Sequence, residues 1–309
     1  MTSVVGVTMF FNLKPLADQS EKTRSNEFYE KNCVATLSVK IPLVILCDSA
    51  TREWIEPLRA RLSPASTHFV EKNITEYDHY KMNFPIVARN RQNPYYMNPD
   101  NRNTTSYFLT TTFKFHAMQI ASEILPDATH YAWIDFGCQH IAWEAAERLQ
   151  SIFDAPKPKV AMVYIQYRSS AEIADVVKTL GNGGPCGLAG TVFTVEKSYM
   201  NRFYTRALAI IYEQISKGVG HAEEQIYMYM FDRFPEMFTI LYGDYYSVIS
   251  NYQYPVRDYN TIRHCFIQSA INAGRRDLAK GAAETLMESY IKGLIHIESH
   301  DLEFLRSFL

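Results

Sequence analysis

The chain has 309 residues, 47% of them hydrophobic, which is enough for one large α/β domain or two small ones and argues against a disordered chain. Its formal net charge of -2 provides no broad positive field that would attract nucleic acid or an anionic membrane. The five cysteines are scattered without a CxxC pair, which favours a reducing, cytoplasmic location over a disulfide framework or a zinc site. No stretch reaches the roughly 18 apolar residues of a spanning helix, so we expect no transmembrane segment.

Short β-branched runs alternate with longer helical stretches, which predicts a Rossmann-like α/β fold with a mostly parallel sheet flanked by helices. In chain order the sequence predicts strands at 4–11, 41–47, 67–71, 129–137, 159–166 and 188–195, and helices at 20–38, 51–62, 107–124, 195–218 and 221–234. A turn-rich break stands at 181–185, a strand-like region at 238–254, and residues 262–309 are helical by periodicity. We predict a main domain at 1–256 and a C-terminal helical appendix at 257–309 packed on it.

Residues 72–105 are polar, rich in Asn, Arg and Tyr, and show no sustained period. An irregular insertion of this length within a compact domain is usually functional or mobile. We therefore predict that this segment is structureless and forms a lid that orders when substrate binds.

Two carboxylates come directly after predicted strands, at the edge where ligands bind in an open parallel sheet. Asp48 also suits the cap of the following helix. Asp135 follows the buried run YAWI, and Gly137 lets backbone approach a ligand closely. A carboxylate in this place can bind a divalent cation that bridges two phosphates, or can accept the hydroxyl groups of a ribose. The alternative is a turn or helix cap after the strand.

A run of small residues follows in the sequence, at Gly187, Ala189 and Gly190. These residues leave room for a sugar ring against the backbone, or else permit close helix packing. Lys114, on a predicted amphipathic helix, can offset the charge of a diphosphate leaving group, although a lone lysine is by default a solvated surface residue.

An acidic pair, Glu223 and Glu224, begins a predicted helix. The two lie about 100° apart around the helix, so one of them can face a cleft and act as a general base. The alternative is that both complement the positive end of the helix dipole. His116, His140 and His221 are candidates only by proximity in sequence.

Several catalytic motifs are absent from the sequence: the GxSxG elbow, the GxxxxGK[ST] phosphate loop and the GxGxxG fingerprint. Their absence argues against hydrolases, P-loop enzymes and dinucleotide-dependent oxidoreductases.

The motifs YAWIDFG at 131–137, LAGTVF at 188–193, EEQ at 223–225, FPEMF at 234–238 and YGDYY at 242–246 resemble the HtrL/YibB-like family of predicted glycosyltransferases. The resemblance spans residues 4–254 and implies a GT-A-type fold, with 1–256 as the catalytic domain. It matches the central carboxylate motif to Asp135, but Gly137 stands where a second acidic residue is common. The resemblance implies Mn²⁺ or Mg²⁺ at Asp135, with Asp244 or His221 as a distant ligand.

By the same resemblance, Thr8, Phe10 and Asp48 line the nucleotide, and the acidic pair faces the acceptor. The predicted function is transfer of a sugar from a nucleoside diphosphate sugar, such as a UDP-sugar, to a hydroxyl of a glycan acceptor. Glu224, or as second choice Glu223, activates the acceptor if the reaction inverts the sugar; both stabilise positive charge if it retains configuration. The alternatives are a sugar nucleotidyltransferase and a catalytically silent glycan-binding module of the same fold.

Overall fold

A computed structural model describes residues 3–19, 24–93, 104–142, 144–175, 187–220, 223–243, 247–252 and 266–309. The strands are β1 (Val4–Phe10), β2 (Leu43–Cys47), β3 (Thr67–Glu71), β4 (His130–Ile134), β5 (Val160–Tyr164), β6 (Val192–Glu196) and β7 (Phe238–Tyr242). The α-helices span Asn26–Asn32, Val34–Leu37, Ser49–Leu62, Asp78–Asn90, Thr105–Thr112, Lys114–Ile124, Ala145–Asp154, Ser170–Ala174, Lys197–Ser216, Glu224–Arg233, Gln268–Asn272, Arg276–Ile291 and Ser299–Arg306.

Within these residues the seven strands form one sheet in the order β3-β2-β1-β4-β6-β5-β7. β1 pairs in parallel with β2 and β4, β2 with β3, and β5 with β7. β6 runs antiparallel to both of its neighbours, β4 and β5. The predicted fold class, a mostly parallel sheet flanked by helices, is confirmed.

The core lies on both faces of the sheet. Along β1, Val5, Val7 and Met9 join one apolar cluster, while Val4 and Phe10 join the other, as the two-residue period of a strand requires. Burial on both faces explains why the parallel strands read as continuous apolar runs in the sequence.

The predicted structureless segment at 72–105 is wrong for the part that the structure describes. Residues Asp78–Asn90 form a helix whose inner face includes His79, Tyr80, Asn83 and Val87. Two of these buried residues are polar, so the sequence lacks the regular spacing of apolar residues from which a helix is predicted. Residues 94–103 lie outside the described part, so the lid stays a prediction.

Other boundaries differ in ways that have local causes. The predicted helix at 107–124 is two helices that meet at Phe113. In the predicted strand at 188–195, Leu188 makes only an isolated bridge to Tyr164, and regular pairing begins at Val192. The break predicted at 181–185 lies outside the described residues.

The C-terminal region packs on the sheet and on the Glu224–Arg233 helix. The Phe266 ring lies 4.9 Å from the rings of Tyr164 and Tyr242, and Arg275 Nη1 lies 3.3 Å from Asp232 Oδ1. Because 253–265 fall outside the described residues, the boundary at 256–257 stays a prediction. Throughout the described part of the chain, no helix has the length and apolar character needed to cross a bilayer.

Candidate active site

The strand order creates a crevice at the carboxyl ends of β1 and β4. From β1 the chain proceeds through β2 to β3 on one side, and it then returns to place β4 on the other side of β1. Ligands of open α/β sheets bind outside the carboxyl ends of the strands at such a switch point. Phe10 ends β1 and Asp135 directly follows β4, so both residues lie at this crevice.

Asp135 is held at three of its polar atoms. Its backbone nitrogen donates to Thr191 O at 2.8 Å, and its carbonyl oxygen accepts from Thr36 Oγ1 at 3.0 Å. Its Oδ1 accepts from Trp133 Nε1 at 2.8 Å, while 33% of the side chain stays exposed. The carboxylate is therefore fixed in orientation and still reachable from solvent.

The Lys114 ammonium group lies beneath this carboxylate and joins three acceptors. Lys114 Nζ is 2.6 Å from Glu223 Oε1, 3.1 Å from Gly190 O and 3.2 Å from Asp135 Oδ1. The contacts with Glu223 and Gly190 are hydrogen bonds and the contact with Asp135 is an ion pair, so the ammonium group is engaged on three sides. Only 4% of the side chain is exposed, so direct contact with a diphosphate would require Lys114 to leave one of these partners.

Electrostatics within the cluster keep its charges paired. Burial acts to lower the pKa of Lys114, but the charges of Asp135 and Glu223 raise it well above its usual value. Burial raises the pKa of Asp135 despite the opposing charge of Lys114. Burial also acts to raise the pKa of Glu223, yet the ion pair and hydrogen bond with Lys114 hold it below its usual value.

Glu224 differs from its neighbour in both exposure and protonation. Its side chain is half-buried, whereas Glu223 is 8% exposed. Burial and then the charge of Glu223 raise the pKa of Glu224 to about 8. At neutral pH Glu223 is thus ionised and tied to Lys114, while Glu224 is largely protonated. When two neighbouring carboxyl groups have different pKa values, one can serve as a catalytic acid and the other as a base.

The turn that leads into the acidic pair is anchored from the Asp78–Asn90 helix. Asn90 Nδ2 donates to the carbonyl groups of Ile215 at 2.8 Å and Val219 at 3.2 Å. Arg91 Nη1 donates to Gly220 O at 2.9 Å. The segment predicted as a lid therefore anchors the chain at Ile215, Val219 and Gly220, shortly before Glu223.

Gly190 approaches the lysine closely. A β-carbon at this position would lie 3.1 Å from Lys114 Nζ, 3.1 Å from Tyr227 Cε2 and 3.4 Å from Glu223 Oε1. Lys114, Tyr227 and Glu223 therefore fill the space that a side chain at position 190 would occupy.

Gly190→Ala should destabilise the protein by about 1 to 3 kcal/mol, because an added methyl group crowds a well-packed interior. Urea denaturation measures this change. Gly281→Ala is the matched control: it lies inside the Arg276–Ile291 helix, and the nearest atom to its added β-carbon is Tyr242 Oη at 3.4 Å. The control should raise the free energy of unfolding by about 0.5 to 1 kcal/mol, because alanine favours a helix interior more than glycine does. Equal stability of Gly190→Ala and the wild type would contradict the crowding argument.

Of the three residues predicted to line the nucleotide, Asp48 and Phe10 have structural partners and Thr8 does not. Thr8 has no exposed surface, and its hydroxyl finds no hydrogen-bond partner within the described structure. Asp48 caps the Ser49–Leu62 helix through Thr51 N at 2.9 Å, and its Oδ2 accepts from Asn12 N at 2.6 Å. Phe10 stacks on Phe136 with ring centroids 4.7 Å apart. Their contact with a nucleotide stays a prediction.

Two of the three histidines suggested by sequence proximity, His116 and His140, contact other groups than the ion-pair cluster. His116 stacks on Phe113, and burial lowers its pKa to about 4. His140 contacts Gly137 O through Nδ1 at 2.5 Å. His221 and Asp244 lie outside the described residues.

The sequence did not mark Tyr107 or Tyr29 as site residues. Tyr107 is 37% exposed, and its pKa is raised first by burial and then by the charges of Glu223, Tyr29 and Asp135. Tyr29 lies against Gly137, where a β-carbon would be 3.4 Å from Tyr29 Cδ1. Tyr107 precedes Lys114 by seven residues, but the two residues stand on separate helices that meet at Phe113.

The described donor set does not fit a resident divalent cation. Across the described ranges, no group of three or more His, Cys, Asp or Glu side chains is placed to hold a metal ion. Asp135 Oδ1 already accepts from Trp133 and lies against Lys114, and Gly137 supplies no second carboxylate. Mn²⁺ or Mg²⁺ at Asp135 stays a prediction.

No protein-family model matches the sequence, and no curated protein matches it. Similar solved structures include apo xyloside xylosyltransferase 1 from mouse, with 16% identity and a TM-score of 0.42 over 78% of this chain and 85% of that one. Core-mannan synthase A from Aspergillus fumigatus, in a Mn/GDP form, has 7% identity and a TM-score of 0.49 over 78% and 73%. The 4-diphosphocytidyl-2C-methyl-D-erythritol synthase of Anaerococcus prevotii has 13% identity and a TM-score of 0.40 over 88% and 96%. All three TM-scores are below 0.5, so these likenesses do not identify the activity of this chain. The resemblance to the HtrL/YibB-like family stays a prediction.

Proposed function

We propose that this chain is a glycosyltransferase that moves a sugar from a nucleoside diphosphate sugar to a hydroxyl of a glycan acceptor, in the cytoplasm. One observation carries the proposal: at the switch point of the sheet, a buried ammonium group gathers Asp135 and Glu223 beside a titratable Glu224. The crevice thus combines a place for a nucleotide with a fixed carboxylate and a proton acceptor.

Asp135 orients the donor by accepting hydrogen bonds from its hydroxyl groups, because its partly exposed carboxylate is fixed by Trp133 and Lys114. Lys114 keeps both carboxylates in place from below and does not itself contact the phosphates. In an inverting reaction, Glu224 takes the proton of the acceptor hydroxyl. The acceptor oxygen forms the new glycosidic bond while the bond from the sugar to the diphosphate breaks.

Glu224 is the better base of the acidic pair. Glu223 is ionised but engaged by Lys114, which lowers its affinity for a proton. Glu224 keeps exposed surface, and its pKa of about 8 is close to the pH at which a general base works best.

A thermal-shift screen tests donor binding. Purified protein is heated with UDP, GDP, CDP and their common sugars, in EDTA and in Mn²⁺ or Mg²⁺, because ligands of the native state raise its melting temperature. We expect one nucleotide class to stabilise the wild type and to lose this effect in Asp135→Asn. Asparagine retains an oxygen that accepts from Trp133 and Lys114, so the variant removes charge with little change of shape.

Asp154→Asn is the control, since Asp154 is exposed at the end of the Ala145–Asp154 helix. It should respond to nucleotides as the wild type does. If no nucleotide stabilises the wild type under any metal condition, the transferase proposal fails, and binding to a glycan array becomes the next measurement. Formation of a nucleoside diphosphate sugar and pyrophosphate from a nucleoside triphosphate and a sugar 1-phosphate would favour the nucleotidyltransferase.

A further inference from the structure

The Arg24 side chain lies against the turn that follows Asp135. Arg24 Nη1 is 2.9 Å from His140 Nε2, and His140 Nδ1 is 2.5 Å from the carbonyl oxygen of Gly137. Because a guanidinium group can only donate and a carbonyl oxygen can only accept, His140 accepts at Nε2 and donates from Nδ1. One neutral imidazole ring therefore connects Arg24 to the backbone two residues beyond Asp135.

Aromatic contacts place Arg24 at the ends of β1 and β4. The guanidinium carbon of Arg24 is 4.5 Å from the centroid of the Phe28 ring. The next residue, Tyr29, packs on Phe10 at the end of β1, with ring centroids 4.6 Å apart. Since Phe10 and Asp135 mark the switch point of the sheet, Arg24 stands at the same crevice.

The positive charge of Arg24 is not neutralised by its contacts within the described part of the chain. Its partners there are an imidazole and an aromatic ring, neither of which carries a negative charge. A guanidinium group has five N–H donors in a planar fork that matches the oxygens of a phosphate group, and His140 accepts from one of them. The side chain is half-buried, so it is positioned in advance and can still be reached from solvent.

The ion-pair cluster offers no surplus positive charge to a diphosphate. Lys114 Nζ is shared between two carboxylates, Glu223 at 2.6 Å and Asp135 at 3.2 Å. Within the described ranges no group of three or more metal-binding side chains is placed to hold a divalent cation either. Because like charges repel at these distances, a nucleoside diphosphate in the crevice needs a cation from another element.

We propose that Arg24 binds the diphosphate of the nucleotide sugar donor and supplies the positive charge there without a bound metal ion. The inference rests on the proposed function and assigns the diphosphate to the side of the crevice where the turn at 135–140 meets the Asn26–Asn32 helix. Asp135 accepts from hydroxyl groups of the donor, while the guanidinium group donates to phosphate oxygens. A nucleoside diphosphate should therefore bind in EDTA, and less tightly as the salt concentration rises.

Calorimetric titration with UDP, GDP and CDP in EDTA tests this assignment. For whichever nucleotide binds the wild type, Arg24→Gln should weaken binding about tenfold or more at low salt, as expected for the loss of a charge-assisted hydrogen bond. Arg24→Lys keeps the charge but not the planar fork, and should lose about threefold. The difference between Arg24→Gln and the wild type should shrink in about 1 M NaCl, where charges are screened beyond about 3 Å.

Arg206→Gln is the matched control. The Arg206 guanidinium carbon also lies 4.5 Å from a ring centroid, that of Phe234, and Arg206 is exposed on the Lys197–Ser216 helix. This variant should bind the nucleotide as the wild type does. The melting temperatures of both variants should equal that of the wild type, which shows that they are folded.

Three results overturn the role of Arg24 while the proposed function stands. They are binding by Arg24→Gln within about twofold of the wild type, a loss of affinity that salt does not reduce, and binding by the wild type only when Mn²⁺ or Mg²⁺ is added. A wild type that binds no nucleoside diphosphate under any metal condition overturns the proposed function itself, and this inference with it.

Discussion

Replacing Lys114 with methionine should lower the free energy of unfolding by about 3 to 5 kcal/mol, which is the usual cost of removing one partner from a buried ion pair. The side chains have similar length, so the loss comes mainly from Asp135 and Glu223, which stay in a buried place without their shared cation. Urea denaturation at neutral pH measures the change. Donor binding should be lost together with stability, since Asp135 loses one of the two groups that fix its Oδ1.

The cost of Lys114→Met should shrink as the pH falls. Glu223 has a lowered pKa in the folded protein, so its contribution to stability is present above its unfolded pKa and is lost as pH falls through the folded value. Asp135 has a raised pKa, so its unfavourable charge disappears when it is protonated in acid. Lys217→Met is the control, because Lys217 is 43% exposed and pairs with Glu213 at the surface; it should cost at most about 0.5 kcal/mol. If Lys114→Met lowers the free energy of unfolding by less than about 1 kcal/mol, the Lys114 ammonium group does not form a stabilising buried ion pair.

Replacing Glu224 with glutamine should lower kcat by about 10² to 10⁴, the usual contribution of a general base, while it stabilises the protein. In the wild type, kcat/KM should rise with pH and level off above about pH 8, because Glu224 must be ionised to accept a proton. A steady-state pH profile of both proteins measures these effects. Full activity in Glu224→Gln would exclude Glu224 as the base and turn attention to Glu223.

The stability of this variant changes with pH in a defined direction. Because the folded pKa of Glu224 is raised from 4.5 to about 8, its favourable contribution is complete below pH 4.5 and is lost as pH rises through 8. Glutamine cannot ionise, so the free energy of unfolding of Glu224→Gln should exceed that of the wild type by about 2 kcal/mol or more at pH 9. Each pKa unit corresponds to about 1.4 kcal/mol. Near pH 4 the two should agree. Glu284→Gln, at an exposed surface pair with Lys280, should show no comparable gain.

Much of the sheet could be predicted because buried strands appear as apolar runs, and β3 matches its predicted bounds of 67–71. The direction of β6 could not be predicted, since the same apolar run suits a parallel or an antiparallel neighbour. The Asp78–Asn90 helix was missed because His79 and Asn83 are buried polar residues, which break the apolar pattern that marks a helix.

The sequence identifies the charged residues of this cluster one by one but does not predict that they contact each other. Asp135, Glu223 and Glu224 stand out in the sequence as charged residues at element ends. Lys114 does not, because the sequence places it within a predicted helix at 107–124 and at the surface by default. Its two carboxylate partners come from β4 and from the start of the Glu224–Arg233 helix, and Lys114 and Glu223 are 109 residues apart. Only the packing of the Lys114–Ile124 helix against the sheet brings these charges together.

The hydrogen bonds that anchor the turn before Glu223 depend much more on the amino acid at position 90 than on those at positions 215 and 219. Asn90 supplies a side chain, whereas Ile215 and Val219 supply carbonyl groups that every amino acid possesses. Substitutions at 215 or 219 that preserve packing keep both acceptors, but almost any substitution at 90 removes both bonds. Engineering of this region can therefore vary the turn, while position 90 has to remain asparagine.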